Sequence, residues 1–283
     1  QQQRALAHDG RLLRVLGGPG TGKTTLAVEL VADRVARGVA GPEQCLVLAP
    51  TRRAAAAVRE QVTRRVAAST RTPLARTFAS LAFGILRRAA IRDDLPTPFL
   101  LSGAEQDAIL RELLAGHVAE PARAPDWPEH LGEAVGARGF RAELRDLLMR
   151  AVEHGLDAAT LADLGRAHDR PEWTAAAAVL DEYDQVTALA RPGGFDPAWL
   201  LSGACDALES DPELLGELAD QIRVVIVDDA QEVGAPGARL LGLLAGAGIA
   251  IALIGDPDAA VQTFRGADPR FLAEGWRDLG EGT

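Results

Sequence analysis

The segment that most constrains this chain lies near its beginning, where residues 17–24 read GGPGTGKT. It matches the pattern G-x-x-x-x-G-K-[ST], in which glycines let backbone N–H groups surround phosphates and a lysine ammonium contacts them. Lys23 is the only lysine among the 30 basic residues, and all the others are arginines. A compact ammonium fits beside a phosphate where a broad guanidinium does not. The segment therefore predicts a phosphate-binding loop.

The residues on either side of this loop supply the context that the motif needs. Residues 12–16 read LLRVL, a short and mostly apolar segment that is typical of a strand. Residues 26–37 have helical spacing, with Leu26, Leu30 and Val31 on one face. A strand, a glycine-rich loop and a helix in this order place phosphates at a helix N-terminus. A plain glycine-rich turn is the alternative, and the agreement of motif and flanks argues against it.

The rest of the chain alternates apolar strands with helices, except in its middle. Further strands are predicted at residues 45–49, 223–227 and 249–254. Between about residue 95 and residue 214 the sequence predicts helices and no strand. Unbroken apolar strands between helices indicate a parallel sheet that is covered on both faces. Besides the helix after the loop, helices are predicted at about residues 52–66, 77–90, 102–117, 140–154, 173–190 and 199–208.

These elements predict an α/β fold with a parallel sheet, interrupted by an all-helical insertion. The first part of the α/β domain is expected at residues 1–94, the insertion at 95–216 and the second part of the domain at 217–283. The insertion's first helix has a clear start signal, because Ser102 and Glu105 match the S-x-x-E pattern of a capping box.

Composition places the chain among soluble globular proteins, since 47% of its 283 residues are apolar and 25% are charged. No apolar run reaches membrane-spanning length and no signal peptide is visible, so no membrane partner is expected. The two cysteines, Cys45 and Cys205, are too few for a structural metal site and suit a reducing cytoplasm. The chain begins without methionine, which suggests a piece of a longer protein.

Charge is distributed unevenly along the chain. The net charge is −10, yet residues 51–92 contain ten arginines and one acidic residue, Glu60. A local basic stretch on an acidic protein is typical of a surface that binds a polyanion such as nucleic acid. The alternative is a solvated helix face whose counter-charges lie elsewhere in the fold. The ten arginines are Arg52, Arg53, Arg59, Arg64, Arg65, Arg71, Arg76, Arg87, Arg88 and Arg92.

Two carboxylates follow the strand predicted at residues 223–227. A bound magnesium nucleotide needs a hard oxygen ligand besides the loop residue Thr24, and a carboxylate near the attacking water. Asp228 is expected to hold Mg²⁺, directly or through water, and Asp229 to orient or deprotonate the attacking water. Many strands end in acidic residues, so this pattern gains its meaning from the phosphate-binding loop upstream.

Several segments, taken in order, resemble the N-terminal half of the UvrD/Rep/PcrA-like superfamily 1A DNA helicases, whose motor domains have a RecA-like fold. The helical middle falls where that family has its subdomain 1B. Residues 101–114, 140–156 and 260–265 look most like the AdnA/AdnB helicase–nuclease motors of actinobacteria. The segments that carry the broader resemblance are QRA at 3–5, GGPGTGKT at 17–24, TRRAA at 51–55, TFASLA at 77–82, DDAQE at 228–232, GDPD at 255–258 and FRGADP at 264–269.

The resemblance implies ATP and Mg²⁺ as cofactors and a role for each matching residue. Gln3 would read the adenine edge, and Arg265 would reach the γ-phosphate. Asp228 and Asp229 would be the metal ligand and the catalytic acid, with Lys23 as a further catalytic group and Thr24 as a second metal ligand. The nucleotide-binding loop would comprise Gly17, Gly18, Pro19, Gly20, Thr21, Gly22, Lys23, Thr24 and Thr25. Single-stranded DNA would contact Thr51, Arg52, Arg53, Thr77, Phe78 and Phe264.

Three positions depart from the family's pattern. Asp229 stands where the family usually has glutamate, one methylene longer. Ala259 replaces a glutamine that senses the γ-phosphate, and Ala79 replaces a histidine in a DNA-contacting motif. These departures weaken the expectation of fast hydrolysis and of tight coupling between ATP and DNA, and leave nucleotide binding unaffected.

Three functions are compatible with these sequence features. The first is an ATP-dependent DNA helicase or translocase of repair or recombination, seen as its first motor domain. It would lack the second RecA-like domain after residue 283 and be nearly inactive alone. The second is a subunit with weakened hydrolysis that binds DNA or assembles a helicase–nuclease complex. The third, a small-molecule kinase, is disfavoured by the basic stretch and by the long separation between Lys23 and Asp228.

Overall fold

The computed structural model describes residues 2–66 and 75–280, which form two compact units. One unit, here called the sheet unit, comprises Gln1–Ala89 and Leu201–Thr283. The other, the helical unit, comprises Ala90–Leu200. Within the described residues, no helix is long and apolar enough to cross a membrane.

The described elements alternate between strands and helices at both ends of the chain. The helices are α1 (Gln2–Leu6), α2 (Lys23–Ala36), α3 (Arg52–Val66), α4 (Phe78–Arg92), α5 (Gly103–Ala119), α6 (Arg138–Glu153), α7 (Ala158–Ala167), α8 (Pro171–Ala190), α9 (Leu200–Ser210), α10 (Pro212–Gln221), α11 (Ala235–Gly246) and α12 (Pro269–Ala273). The strands are β1 (Leu12–Leu16), β2 (Cys45–Leu48), β3 (Ala75–Arg76), β4 (Phe99–Leu100), β5 (Gly194–Phe195), β6 (Val224–Asp228) and β7 (Ala250–Gly255).

In the described part of the sheet unit, five parallel strands form one sheet in the order β1-β7-β6-β2-β3. The register places Leu16 beside Gly255 and Asp228 beside Ile254, so β1, β6 and β7 end together. The carboxyl edge of the sheet therefore gathers the loops that follow these strands, as is general for parallel α/β sheets. The α/β fold and its parallel sheet, predicted from the sequence, are confirmed.

Burial explains why these segments form strands and helices. Strands β2 and β6 are buried along their whole length, as expected for strands that are apolar except for Asp228 at the end of β6. Helix α3 buries Ala55, Val58 and Val62 at helical spacing, while most of its arginines face outward. Val58 and Val62 belong to one hydrophobic core with side chains of α2 and the central strands.

The helical unit packs around a second core of leucine, valine and alanine side chains from α5, α6, α7 and α8. A buried polar contact is set into it, where Asp196 accepts hydrogen bonds from Gln106 Nε2 and from Tyr183 Oη, the latter at 3.0 Å. The predicted capping box is present, because Ser102 Oγ accepts from Glu105 N at 3.3 Å and Glu105 Oε2 from Ser102 N at 2.8 Å.

The helical unit is not wholly helical, which corrects the prediction of no strand between residues 95 and 214. Strands β4 and β5 pair in parallel, with Phe99 beside Gly194 and Leu100 beside Phe195. Each strand has two residues, too few to show an alternating pattern. Strand β3 and helix α7 were not predicted either.

The boundaries of the compact units, at residues 90 and 200, differ from the predicted domain boundaries at 95 and 216. Helix α10 accounts for most of the difference, because it belongs to the sheet unit, where Gln44 Nε2 donates to the backbone oxygen of Asp220 at 3.5 Å. The division into subdomains 1A and 1B stays a prediction.

Candidate functional site

The predicted phosphate-binding loop lies between β1 and α2, at the carboxyl edge of the sheet. Gly20 and Gly22 have φ angles of +73° and +83°, in the left-handed region that glycine adopts without strain. The Thr21 hydroxyl donates to the Gly18 oxygen at 2.8 Å, and Gly17 N donates to the Gly255 oxygen at 3.1 Å. The strand–loop–helix arrangement is thus present, with the helix beginning at Lys23.

The Lys23 ammonium spans the loop. Nζ donates hydrogen bonds to the backbone oxygens of Gly17 and Gly18, at 2.8 and 2.9 Å. An ammonium has three N–H donors, so this arrangement leaves one for a further acceptor. The side chain is half-buried, which strengthens its interaction with any anion that enters the loop.

Asp228 ends β6 beside this loop. Its side chain is 3% exposed, and its Oδ1 has no hydrogen-bond partner among the described residues. Burial raises the pKa of the Asp228 carboxyl, and the neighbouring Asp229 charge also raises it. A hydrogen bond from the Thr24 hydroxyl and the charge of Lys23 oppose that rise. The structure therefore brings Lys23, Thr24 and Asp228 together, as the sequence predicts.

This donor set fits a hard divalent cation. Magnesium takes oxygen ligands, usually one or two from the protein, and keeps several waters. Thr24 and Asp228 present a hydroxyl and a carboxylate side by side, and the carboxylate retains an oxygen without a partner among the described residues. A buried acceptor with no partner costs free energy unless a ligand or a water satisfies it.

Asp229 has an unusual backbone conformation, with φ at +54° and ψ at +49°. This left-handed region is uncommon outside glycine, although aspartate and asparagine tolerate it better than most residues. The half-buried carboxylate accepts a hydrogen bond from Gln231 Nε2 at 3.3 Å. Such strained positions cluster at functional sites, which agrees with the predicted importance of this residue.

Gln231 joins the ends of two neighbouring strands, a role that the sequence did not indicate. Its side chain is 4% exposed, and its Oε1 accepts from Asp256 N at 3.0 Å. The contact depends on glycine at position 255, where a Cβ would lie 2.5 Å from Gln231 Oε1. A glutamine two residues after paired acids is the one sequence signal that could have pointed to this link.

Glu232 was also missed as a functional candidate. Its two carboxylate oxygens accept from Val261 N at 2.8 Å and from Gln262 N at 2.9 Å. These amides directly precede the 3-10 turn Thr263–Arg265. Glu232 therefore fixes the start of the segment that carries the predicted residues Phe264 and Arg265, both of which are exposed.

The predicted adenine reader, Gln3, is exposed on α1. On the same short helix it is the neighbouring Gln2 whose Nε2 donates to the backbone oxygen of Thr21, at 3.2 Å. The first helix thus contacts the loop through Gln2, and the role of Gln3 as the adenine reader stays a prediction.

Five of the six predicted DNA-contacting residues, all except Phe264, lie after β2 and β3, at the starts of α3 and α4. Thr51 Oγ1 accepts from Ala54 N, and Thr77 Oγ1 accepts from Ser80 N, each at 3.1 Å. Arg52 and Arg53 are exposed on the first turn of α3. Phe78 is half-buried.

The basic stretch divides into paired and unpaired arginines. Arg65 forms a bidentate ion pair with Glu29, at 2.9 and 3.0 Å, and Arg64 lies 3.6 Å from Glu60. Arg52 and Arg53 have no ion pair with any other described residue. Counter-charges within the fold therefore explain part of the stretch and leave the first turn of α3 available to a polyanion. Arg71 lies outside the described residues.

A glycine loop between the first strand and its helix, with a buried aspartate and a loop threonine side by side at the carboxyl edge of a parallel sheet, defines the class of P-loop nucleoside triphosphatases. Within that class, the chain belongs to the UvrD/REP helicase N-terminal domain family, whose pattern matches residues 1–279. Family membership argues against the small-molecule kinase.

Two mycobacterial proteins are similar over nearly the whole chain. ATP-dependent DNA helicase UvrD1 of Mycobacterium tuberculosis is 27% identical over 288 residues, which cover 98% of this chain and 35% of that protein. ATP-dependent DNA helicase UvrD2 of the same species is 29% identical over 289 residues, 97% of this chain and 38% of that protein. DNA helicase IV of Escherichia coli is 33% identical over 155 residues, covering 54% of this chain and 20% of that protein.

The chain therefore spans little more than a third of the length of the mycobacterial relatives it matches. The narrower resemblance to AdnA/AdnB motors stays a prediction.

Proposed function

We propose that this chain is the ATP-binding motor region of an ATP-dependent DNA helicase or translocase, acting on single-stranded DNA in repair or recombination in the cytoplasm. The observation that carries the proposal is the convergence of Lys23, Thr24 and Asp228 at the carboxyl edge of the sheet. Membership of the UvrD/REP family supports the choice of DNA as the polymer on which the motor acts.

In this proposal the loop of residues 17–25 holds the triphosphate. The Lys23 ammonium exchanges one or both of its backbone acceptors for phosphate oxygens, and Thr24 with Asp228 would hold Mg²⁺. When bound, Mg²⁺ supplies positive charge that neutralises the phosphate oxygens. Asp229 orients the attacking water, and Arg265 approaches the γ-phosphate.

The side chains of Gln231 and Glu232 would hold the residues of the nucleotide site in position. Gln231 links the catalytic strand end at Asp229 to Asp256, and Glu232 fixes the backbone just before Phe264 and Arg265. Gln3 would contact the adenine, with Gln2 supporting the loop beneath it.

DNA would bind across the starts of α3 and α4. Arg52 and Arg53 lie exposed, without ion pairs to other described residues, and would contact backbone phosphates. Phe264, 62% exposed, would stack on a base, since aromatic side chains bind single strands with little sequence preference. The hydroxyls of Thr51 and Thr77 and the ring of Phe78 would complete the surface.

Fast hydrolysis would require a second RecA-like domain that supplies further arginines to the γ-phosphate. UvrD1 of Mycobacterium tuberculosis is nearly three times as long as the region it shares with this chain, which leaves room for such a domain in that relative. An arginine supplied from outside a P-loop site raises the rate by about 10³–10⁵. A helicase–nuclease partner subunit is a further proposal, and it rests on the resemblance to AdnA/AdnB motors alone.

The second candidate is a subunit that binds nucleotide but hydrolyses it weakly and serves mainly in DNA binding or assembly. Asp229, one methylene shorter than glutamate, and Ala259, which cannot hydrogen-bond through its side chain, favour it. The intact loop and Arg265 favour the motor.

DNA-stimulated ATPase activity of the longer protein, with the sequence beyond residue 283, separates the two. A motor hydrolyses ATP faster when single-stranded DNA is added. A weakened subunit binds ATP with the same dependence on Lys23 and shows no turnover above that of its Lys23→Ala variant. Failure of both the short chain and the longer protein to bind ATP would remove both candidates.

A further inference from the structure

A separate cavity lies on the sheet unit, lined by none of the residues of the candidate nucleotide or DNA sites. Its volume is about 320 Å³, and it is bounded by the start of β2, the middle of α4 and the end of α10. Cavities of roughly 300–1,000 Å³ are the usual size of small-molecule sites. Because two arginines, Arg76 and Arg88, line it, it is called the arginine pocket below.

The two arginines place positive charge in a partly buried pocket. Both are half-buried, and Arg76 Nε is buried with no hydrogen-bond partner among the described residues. Burial lowers the pKa of the Arg76 guanidinium, and the neighbouring charges of Arg88 and Arg59 lower it further. Within the described part of the chain, no carboxylate forms an ion pair with either pocket arginine. A guanidinium remains charged even so, and a buried charge without a partner is costly.

The remaining lining is largely apolar. Leu46, Leu81, Ile85 and Leu218 contribute side chains from three elements. Gly84 lies beside Arg76 on the α4 side, where a Cβ would make an ordinary contact with Arg76 Nη1 at 3.5 Å. The pocket thus combines an apolar wall with two guanidinium groups, which suits a molecule that has a flat hydrocarbon body and a charged end.

The outer residues narrow the class of ligand. Two residues with carboxylates, Glu43 and Asp220, also line the pocket; both are exposed, which places them at its rim, and they pair with neither arginine. Carboxylates at a rim repel a polyanion, such as a nucleotide or a nucleic-acid backbone, much more strongly than a single negative charge. The charge pattern therefore favours a monoanion.

We propose that the arginine pocket binds a small organic monoanion of the aromatic carboxylate class, with its carboxylate on Arg76 and Arg88 and its ring against the leucine and isoleucine side chains. This site is independent of the proposed nucleotide site, and its occupancy does not depend on Lys23.

The test is calorimetric titration of this chain with 2-naphthoate, a flat aromatic carboxylate. Two further probes divide the contributions: 2-naphthamide keeps the ring without the charge, and inorganic phosphate keeps negative charge without the ring. The proposal expects 2-naphthoate to bind at least about tenfold more tightly than either.

Matched variants locate the binding. Arg88→Gln removes a pocket charge, while Arg87→Gln removes the same charge from the adjacent exposed residue of α4. Arg88→Gln should weaken naphthoate binding about tenfold, and Arg87→Gln by less than about twofold. Gly84→Leu fills the cavity without changing charge and should abolish binding. Lys23→Ala should leave it unchanged, which separates this test from that of the proposed function.

Three results would overturn the proposal. One is equal affinity for 2-naphthoate and 2-naphthamide, which would mean that the arginines contribute nothing. Another is equal weakening by Arg87→Gln and Arg88→Gln, which would indicate general attraction to a basic helix. The third is the absence of naphthoate binding at millimolar concentration to a folded chain.

Discussion

Gln231 holds Asp256 in place: its side-chain oxygen accepts the Asp256 backbone N–H at 3.0 Å, while its amide nitrogen donates to Asp229 at 3.3 Å. A single buried glutamine thus connects the residue proposed to orient water with the end of the adjacent strand. The link is buried and tightly packed, because a Cβ at position 255 would lie 2.5 Å from Gln231 Oε1 and only glycine avoids that clash.

The first prediction concerns this link. Gln231→Ala leaves the buried Asp256 N–H without an acceptor, which costs about 1–3 kcal/mol of unfolding free energy. Urea unfolding measures that cost, and ATPase assays on the longer protein should show turnover falling more than ATP affinity. Gln185, exposed on α8, is a matched control, and Gln185→Ala should change stability by less than about 0.5 kcal/mol. Equal effects of the two substitutions would contradict the assignment.

The second prediction concerns Lys23. Lys23→Ala removes the ammonium that would pair with phosphate oxygens, so ATP affinity should fall at least about tenfold, for a charged pair worth about 2–5 kcal/mol. Lys23→Arg keeps the charge with a different shape and should also weaken binding, because a guanidinium fork does not replace a point charge here. Calorimetry with Mg-ATP measures the affinity of both variants, and unchanged affinity in Lys23→Ala would rule out the proposed nucleotide site.

The third prediction concerns the pH dependence of stability through Asp228. Burial raises the pKa of this carboxyl in the folded chain, so the folded state binds its proton more tightly than the unfolded state does. The ionised carboxyl therefore destabilises the nucleotide-free protein, fully above the folded pKa, and the penalty vanishes below the unfolded pKa near 3.8.

Asp228→Asn should accordingly raise the melting temperature at about pH 7, with a gain that shrinks as the pH falls toward the pKa of the unfolded carboxyl. The same variant should lose Mg²⁺-dependent ATPase activity in the longer protein, because an amide is a poorer ligand for a hard cation. Thermal unfolding across pH, without nucleotide or metal, provides the measurement. A gain that is the same at every pH would show that titration of Asp228 is not its cause.

The fourth prediction concerns DNA. Arg52→Ala with Arg53→Ala should weaken binding of single-stranded DNA and reduce the slope of log affinity against log salt by about 0.7 for each phosphate that is no longer neutralised. Arg64→Ala with Arg65→Ala makes the same charge change on the same helix, at residues already paired with Glu60 and Glu29. Fluorescence anisotropy at several salt concentrations should show a larger loss of DNA affinity for the substitutions at Arg52 and Arg53. A larger loss for the substitutions at Arg64 and Arg65 would show that the DNA binds elsewhere.

The fifth prediction concerns turnover. These 283 residues alone should bind ATP and hydrolyse it very slowly, since an arginine from a second domain is worth about 10³–10⁵ in rate. In the longer protein, Asp229→Glu combined with Ala259→Gln should increase turnover, because the longer carboxylate and the amide restore contacts near the γ-phosphate. Steady-state ATPase assays measure the turnover of each protein. A turnover of several per second by the short chain would disprove the need for a second domain.

The features that the sequence predicted correctly are each encoded by a few consecutive residues. They are the phosphate-binding loop, its flanking strand and helix, and the Ser102 capping box. The short strands β3, β4 and β5 have two residues each and leave no periodic trace, so they emerge only from pairing with distant segments.

The contacts made by Gln231 and Glu232 belong to the same class of unpredictable feature. Both depend on how β6 and β7 are aligned and on where the chain passes after Asp256, which no local pattern specifies. The sequence could propose that Lys23 and Asp228 meet, because the carboxyl ends of neighbouring parallel strands share one edge. It could not show which glutamine of α1 reaches the loop.

The strand order has a consequence for how the chain folds during its synthesis. Among the described strands, in the order β1-β7-β6-β2-β3, the strand that leads into the phosphate-binding loop pairs only with β7, and Leu12 lies beside Ile251. During synthesis β1 therefore has no partner in the sheet until β7 has emerged, more than 200 residues later, and contacts of such long range form slowly. The phosphate-binding loop is synthesised well before the strand that pairs with β1, so we expect the loop to reach its final geometry only after β7 has joined the sheet.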